Sequence, residues 1–293
     1  MTQRRMLVGL LGANIMKSLS PPLFAAAFRS AGMDGYYHLM DVDQLPGRKL
    51  PDLFNAVRTA GFAMVNVTYP FKQDVMALID GLDKSAAQVG SVNTVAFAPD
   101  GRTTGYNFDR AGFRRSFEEG LGRDRADGKT VVMIGAGGAG RAVGFAMMDL
   151  GAILVIHDID RKKGQGLVDD IARHYGDARV RLAGDLEKEV AAADGIANAT
   201  QLGMLGFAGN PVPVHVMKPS QWASDVIYTP IQTEFLRSAG AKGCRTLNGA
   251  GMCTYQAIEA FRMLTGIALD PKVMHQAFAD GLALRDAGLA KSA

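Results

Sequence analysis

The stretch Val131–Gly140, VVMIGAGGAG, sets Gly135, Gly137 and Gly140 at the spacing G-x-G-x-x-G. Following an apolar run and opening a helical pattern, such glycines suit a phosphate cradle. The first permits a tight turn, the second lets the backbone approach a pyrophosphate, and the third lets the helix lie close on the sheet. The helix N-terminus then supplies amide donors. Gly135, Ala136, Gly137, Gly138 and Ala139 are therefore the candidate dinucleotide loop. The next apolar run ends at Asp158, 23 residues past Gly135, where a carboxylate would bind ribose hydroxyls. An acid there favours the two free hydroxyls of NAD over the 2′-phosphate of NADP. Arg161, Lys162 and Lys163 follow closely and could meet a phosphate, and a plain turn at the strand end is the other reading of Asp158.

Further polar clusters mark the N-terminal half. Ser18-Leu19-Ser20-Pro21 precedes a helical pattern, and Ser20 as N-cap with Pro21 at N1 accounts for it locally. Asn66-Val67-Thr68-Tyr69-Pro70-Phe71-Lys72 runs from a strand pattern into a helical one. A lysine in a first helical turn faces the positive end of the dipole, which favours its neutral form and suits proton transfer. A solvated lysine at a helix start is the alternative. Gly105-Tyr106-Asn107-Phe108-Asp109 again runs strand into helix, with Asp109 readable as a cap, and Asn93-Thr94 as strand-edge polarity.

The elements that must position these residues alternate. Strands are expected at Met6–Leu11, Tyr36–Asp41 and Phe62–Val67, with helices ending near Ser30, over Leu53–Ala60 and over Pro70–Ile79. A hairpin is expected from Val92–Ala98 and Arg102–Tyr106 around Pro99-Asp100-Gly101. After the polar break Gly120–Lys129, strands are expected at Thr130–Ile134, Ile153–His157, Val180–Leu182, Gly195–Asn198 and Asp225–Tyr228. Helices are expected over Gly138–Leu150, over Arg161–Tyr175 and from Gly249 onward, with Pro271 opening the last. This alternation predicts mainly parallel sheets in two α/β domains.

Composition agrees with that class. At 293 residues the chain is about two domains long. Lys plus Arg is 32 against 29 for Asp plus Glu, so no charge excess points to nucleic acid. No apolar run approaches the length of a membrane span. Cys244 and Cys253 form no C-x-x-C pair, and the five histidines show no ligand spacing, so neither a disulfide scaffold nor a metal site is expected. A cytoplasmic setting is the expectation.

Taken together, S-L-S-P, N-V-T-Y-P-F-K, G-S-V-N-T, G-Y-N-F-D and the glycine loop resemble, in collinear order, the shikimate/quinate dehydrogenase family. Asn198-Ala199-Thr200, Asp225 to Pro230, Asn248 to Met252 and Gln256 continue the match. The resemblance implies an N-terminal α/β substrate domain over 1–108 and 250–293, its C-terminal helices returning to it, and a Rossmann domain over 109–249. It implies reversible oxidation of a ring hydroxyl of a carboxylated polyol such as shikimate or quinate, by a monomer or homodimer. Lys72 and Asp109 would be the catalytic pair. Ser18, Ser20, Thr68, Asn93, Tyr228 and Gln256 would bind substrate. Asp158, Thr200, Val226 and Gly249 would line NAD or NADP with the loop, and Met252 would lie near the nicotinamide. A sensor binding the same ligand without turnover is the rival from another class. A methylene-folate dehydrogenase would leave the two serines unexplained.

The sequence departs from the family pattern at Lys17, Phe24-Ala25, Phe108 and Gln201. Asp158-Ile159-Asp160 stands where NADP-using members carry N-R-T.

Overall fold

The computed structural model describes residues 5–291. The chain forms two compact units: the residues up to Phe108 with those from Cys253 onward, and Asp109–Met252.

The first unit opens with β1 (Met6–Gly12), α1 (Ser20–Ser30), β2 (Gly35–Asp41), α2 (Leu50–Thr59) and β3 (Met64–Val67). Then come β4 (Gly81–Leu82), α3 (Lys84–Val89), β5 (Thr94–Phe97) and β6 (Thr103–Tyr106). The sheet order is β2-β1-β3-β5-β6-β4. β1 pairs in parallel with β2 and β3, which accounts for the buried, unalternating run Val8–Gly12. The expected hairpin is present: β5 pairs antiparallel with both β3 and β6.

The second unit begins with α4 (Asp109–Gly120), β7 (Thr130–Ile134), α5 (Gly138–Asp149), β8 (Ile153–His157) and α6 (Arg161–Tyr175). It continues through β9 (Val180–Leu182), α7 (Leu186–Ala192), β10 (Gly195–Asn198), β11 (Trp222–Asp225), α8 (Glu234–Ala241) and β12 (Arg245–Leu247). Its strands are all parallel in the order β12-β11-β10-β7-β8-β9. This is the doubly wound dinucleotide-binding arrangement, with β7 at the point where the order reverses. α4 is fastened to α5 and α6 by Arg110, whose guanidinium donates two 2.7 Å bonds to Asp149 and one to the Tyr175 hydroxyl.

α9 (Ala250–Thr265) crosses the boundary at Met252, and α10 (Pro271–Lys291) completes the first unit. The return is a packing solution. Phe261 on α9 lies edge-on to Phe28 of α1 at 5.4 Å and 6.5 Å from Phe24, whose ring meets Tyr37 at 4.6 Å. Gly281 on α10 faces Pro22, where a Cβ would come within 2.8 Å of the proline ring. Among the described residues, no helix is long and apolar enough to cross a membrane.

The fully buried Phe261 thus closes the aromatic core of the first unit. Phe261→Ala is expected to cost about 3–5 kcal/mol of stability. Urea unfolding followed by circular dichroism measures this, and an unchanged midpoint would contradict the seating of the tail on α1.

Candidate functional site

In the first unit the polar clusters converge on one end of the sheet. β1 and β3 are parallel, so Ser18 and Ser20, after β1, and Thr68 and Lys72, after β3, leave from the same edge. β5 runs antiparallel to β3, so its first residues return to that edge, and Asn93 sits there with its amide bonded to Tyr106 O at 3.0 Å. The approach is close: a Cβ on Gly12 would lie 2.4 Å from Thr68 Cγ2. Asn93 is 3 % exposed and Ser20 5 %, whereas Ser18, Thr68 and Lys72 are half-buried and Lys17 is exposed. Gln256, on α9, donates from Nε2 to Cys253 O at 3.0 Å. The Phe108 ring stacks on Tyr106 at 5.6 Å.

Two local expectations for this unit do not hold. The segment Pro70–Ile79 is not an α-helix but a turn leading into a short 3-10 helix, Asp74–Leu78. The Lys72 carbonyl accepts from Val92 N–H at 2.7 Å, so the segment is tied to the strand side rather than to a helical ladder. The helix-dipole argument for Lys72 accordingly does not apply. Ser20 is not the N-cap of α1 either. Leu19 occupies that place without a side-chain cap bond, and the Ser20 amide instead donates to Ser18 Oγ at 3.2 Å. The capping explanation for Ser20 is thereby removed, while Ser18 Oγ takes the first amide of α1.

In the second unit the loops gather at the carboxyl ends of β7, β8, β10, β11 and β12. Gly135 has φ +102°, and a Cβ there would strike Thr200 Cγ2 and the Ala199 carbonyl carbon at 2.9 and 3.0 Å. A Cβ on Gly140 would overlap Gly135 O, so both glycines are demanded by the protein itself. Gly137 is different. Its φ is −73°, and a Cβ would meet nothing within 4 Å. Among the described residues no packed atom requires glycine at this helix N-cap, which fits a ligand that must approach the backbone closely.

Asp158 Oδ2 accepts from Ala136 N–H at 2.7 Å and Oδ1 from Asp160 N–H at 2.8 Å, bracing the loop while shaping the turn. Asp160 in turn caps α6. Ile159 between them is 99 % exposed. Val226 N–H bonds Asn198 O at 3.1 Å, and Gly249 lies so close to Val226 that a Cβ would sit 2.1 Å from its carbonyl oxygen. Asp109 opens α4 and is 5 % exposed, Met252 is 7 % exposed, and Gly138, Ala139 and Tyr228 are half-buried. Among the described residues no cluster of His, Cys, Asp and Glu could hold a metal ion.

The strand expected at Asp225–Tyr228 lies earlier, at Trp222–Asp225. The Asp225 carboxylate accepts from Ile227 N–H at 3.0 Å, turning the chain so that Val226 and Tyr228 fall in the loop. The sequence assigns Asp225 no role, because the expected strand begins there; an acid beside an apolar run is the signal it offers. Its other bonds are from Thr233 Oγ1 at 2.7 Å and Asn198 Nδ2 at 3.2 Å, while Asn198 Oδ1 accepts from the Thr200 amide and hydroxyl. One buried carboxylate thus joins the loops that follow β10 and β11.

Burial pushes the Asp225 carboxyl up to about 6, against the three hydrogen bonds that favour its ionised form. Because the folded value lies above the unfolded one, the native state holds the extra proton. The stability this contributes is full below about pH 4 and lost as pH rises through about 6. Asp225→Asn should therefore gain on the wild type as pH is raised from about 4 to about 7. Urea midpoints across that range measure the difference, and a constant one would show no such proton.

Three comparisons agree with this geometry. A family profile described as the shikimate dehydrogenase substrate binding domain matches residues 10–95. A quinate/shikimate dehydrogenase (NAD(+)) of Corynebacterium efficiens is 40% identical over 283 residues, covering 95% of this chain and 99% of that one. A shikimate dehydrogenase (NADP(+)) of Streptomyces avermitilis is 42% identical over 271 residues, 91% of this chain and 92% of its own. Among solved structures, quinate dehydrogenase from Corynebacterium glutamicum in complex with NAD superposes with a TM-score of 0.85 at 37% identity, covering 94% of this chain and all of that one. With sequence and fold alike over nearly its whole length, the chain belongs to the shikimate/quinate dehydrogenase family.

Proposed function

We propose that this protein is a nicotinamide-dependent oxidoreductase that reversibly oxidises a ring hydroxyl of shikimate or quinate, with NAD favoured over NADP. The observation that carries the reading is the near-full-length similarity to a quinate/shikimate dehydrogenase (NAD(+)). Gly137, a glycine that the protein does not itself need, supports it.

The cofactor, when bound, accepts the hydride from the alcohol carbon or returns it. The protein's share is position and protons. The amides of Gly135–Ala139 and the N-terminus of α5 hold the pyrophosphate, with Thr200, Val226 and Gly249 lining the site and Met252 beside the nicotinamide. Asp158 keeps acceptor capacity for the ribose hydroxyls beyond its two amide bonds, since each carboxylate oxygen can take a second donor. The same charge disfavours a 2′-phosphate, and the neighbouring position holds an isoleucine rather than a cation.

Ser18 and Ser20 bind the substrate carboxylate by donating hydroxyl protons without adding charge. Thr68, Asn93, Tyr228 and Gln256 bind its remaining oxygens. Lys72 and Asp109 are assigned to proton transfer. Lys72 takes the hydroxyl proton as the carbonyl forms and returns it in the reverse reaction. Asp109 accepts a hydrogen bond from the reacting hydroxyl. In this reading the first unit is the substrate domain and Asp109–Met252 the dinucleotide domain.

The test is NADH or NADPH formation with shikimate and with quinate. Reduction of NAD by one of them is expected, and none in all four combinations would refute the proposal. Lys72→Ala should lower kcat by about 10²–10⁴ with a modest change in KM. Asp158→Ala should narrow the preference for NAD over NADP.

A further inference from the structure

Behind Asn93 the first unit buries a chain of polar side chains that its hydrophobic core does not call for. Tyr37 Oη donates to Asn66 Oδ1 at 2.9 Å, and Asn66 Nδ2 donates to Thr94 Oγ1 at 2.9 Å. Thr94 Oγ1 donates to Asn93 Oδ1 at 3.0 Å, and Phe108 N–H donates to the same oxygen at 3.0 Å. All four side-chain-bearing residues are buried: Tyr37 8 % exposed, Asn66 4 %, Asn93 3 % and Thr94 0 %.

The direction of every proton in this chain is fixed by backbone groups that have no choice. A peptide N–H only donates, so the Asn93 atom facing Phe108 must be its oxygen. A peptide carbonyl only accepts, so the Asn66 atom within 3.5 Å of Asn93 O must be its nitrogen. Thr94, receiving from Asn66, must then spend its own proton on Asn93, and Tyr37 must give its proton to Asn66. Both lone-pair directions of Asn93 Oδ1 are thereby occupied, so a bond from the Asn93 side chain to a ligand is made by donation from its NH2. A flipped amide would face two donors with a third and leave buried groups mispaired.

We propose that Thr94, with Asn66 and Tyr37 behind it, is a positioning residue that locks the Asn93 carboxamide with its NH2 toward the substrate, so that Asn93 selects a substrate oxygen able to accept. The inference rests on Asn93 as a substrate-binding residue in the functional reading above. The register makes the arrangement possible: Asn66 is directly opposite Thr94 across β3 and β5, and β1 lies between Tyr37 on β2 and Asn66 on β3. Only a hydroxyl as long as that of tyrosine spans the intervening strand, and its ring is held by Phe24 in the aromatic core.

The test compares Thr94→Val with Thr94→Ser. Valine keeps the shape and removes the hydroxyl, whereas serine keeps the hydroxyl and loses a methyl. The valine variant removes both hydroxyl bonds, and losing the one that reaches Asn93 is expected to raise KM for the polyol about tenfold, with KM for NAD unchanged. The serine variant should stay within about twofold of the wild type, since it retains the hydroxyl hydrogen bonds. Tyr37→Phe, which deletes one hydroxyl at the far end, should raise the polyol KM by a smaller factor in the same direction. A wild-type KM in Thr94→Val, or equal damage in both Thr94 variants, would overturn the proposal, because packing alone predicts that serine is the worse replacement. Absence of turnover in the wild type would instead refute the functional reading. The relay would then be judged by calorimetric shikimate affinity in the same variants, with the same pattern expected and its absence decisive.

Discussion

Parallel pairing is the constraint on which both units depend. A strand cannot be followed by a parallel neighbour through a tight turn, so the chain crosses over and re-enters from the same end. Every such strand finishes at one edge, and the loops leaving adjacent strands are forced together there. In the second unit this gathers Gly135, Asp158, Thr200, Val226 and Gly249 beyond the carboxyl ends of β7, β8, β10, β11 and β12. In the first unit the antiparallel steps to β5 and β6 complete the effect. A residue that precedes a strand, Asn93, comes to the edge that Thr68 and Ser18 reach by following theirs.

Much of this was legible in the sequence, because the glycine loop and the apolar runs are local signals. The spacing of Gly135, Gly137 and Gly140 states a backbone requirement within ten residues, and the structure separates it into two glycines needed by packing and one that packing does not need. Asp158 makes both of its turn bonds and still keeps acceptor capacity, since a carboxylate has two oxygens and several lone pairs, so a turn role does not exclude a ligand role. The segment carrying Lys72 departs from its expected helix for the opposite reason. It carries a helical pattern, but the bond that decides its path comes from Val92, on a different part of the chain.

The polar networks were illegible for the same cause. Asp225 meets Asn198 from 27 residues away, and Tyr37 meets Asn66 from 29, distances over which no local pattern speaks. In each case the register of a sheet, not the spacing along the chain, decides which polar groups become neighbours. A buried Asn or Asp in a strand pattern signals that some partner exists. It does not say which. That identity appears only once the strands are in order. The start of α1, by contrast, lies one residue earlier than expected, at a local bond from the Ser20 amide to Ser18 Oγ.

The return of α9 and α10 to α1 gives the two units different histories during synthesis. Asp109–Met252 is one continuous stretch, so all six of its strands and their crossovers are already in the chain before Phe261 and Gly281 are added. The first unit is translated earlier but finished later. Until Phe261 and Gly281 arrive, Phe24, Phe28 and Pro22 lack their covering wall, so the part of the protein made first holds exposed apolar surface for the whole time the ribosome is building the second.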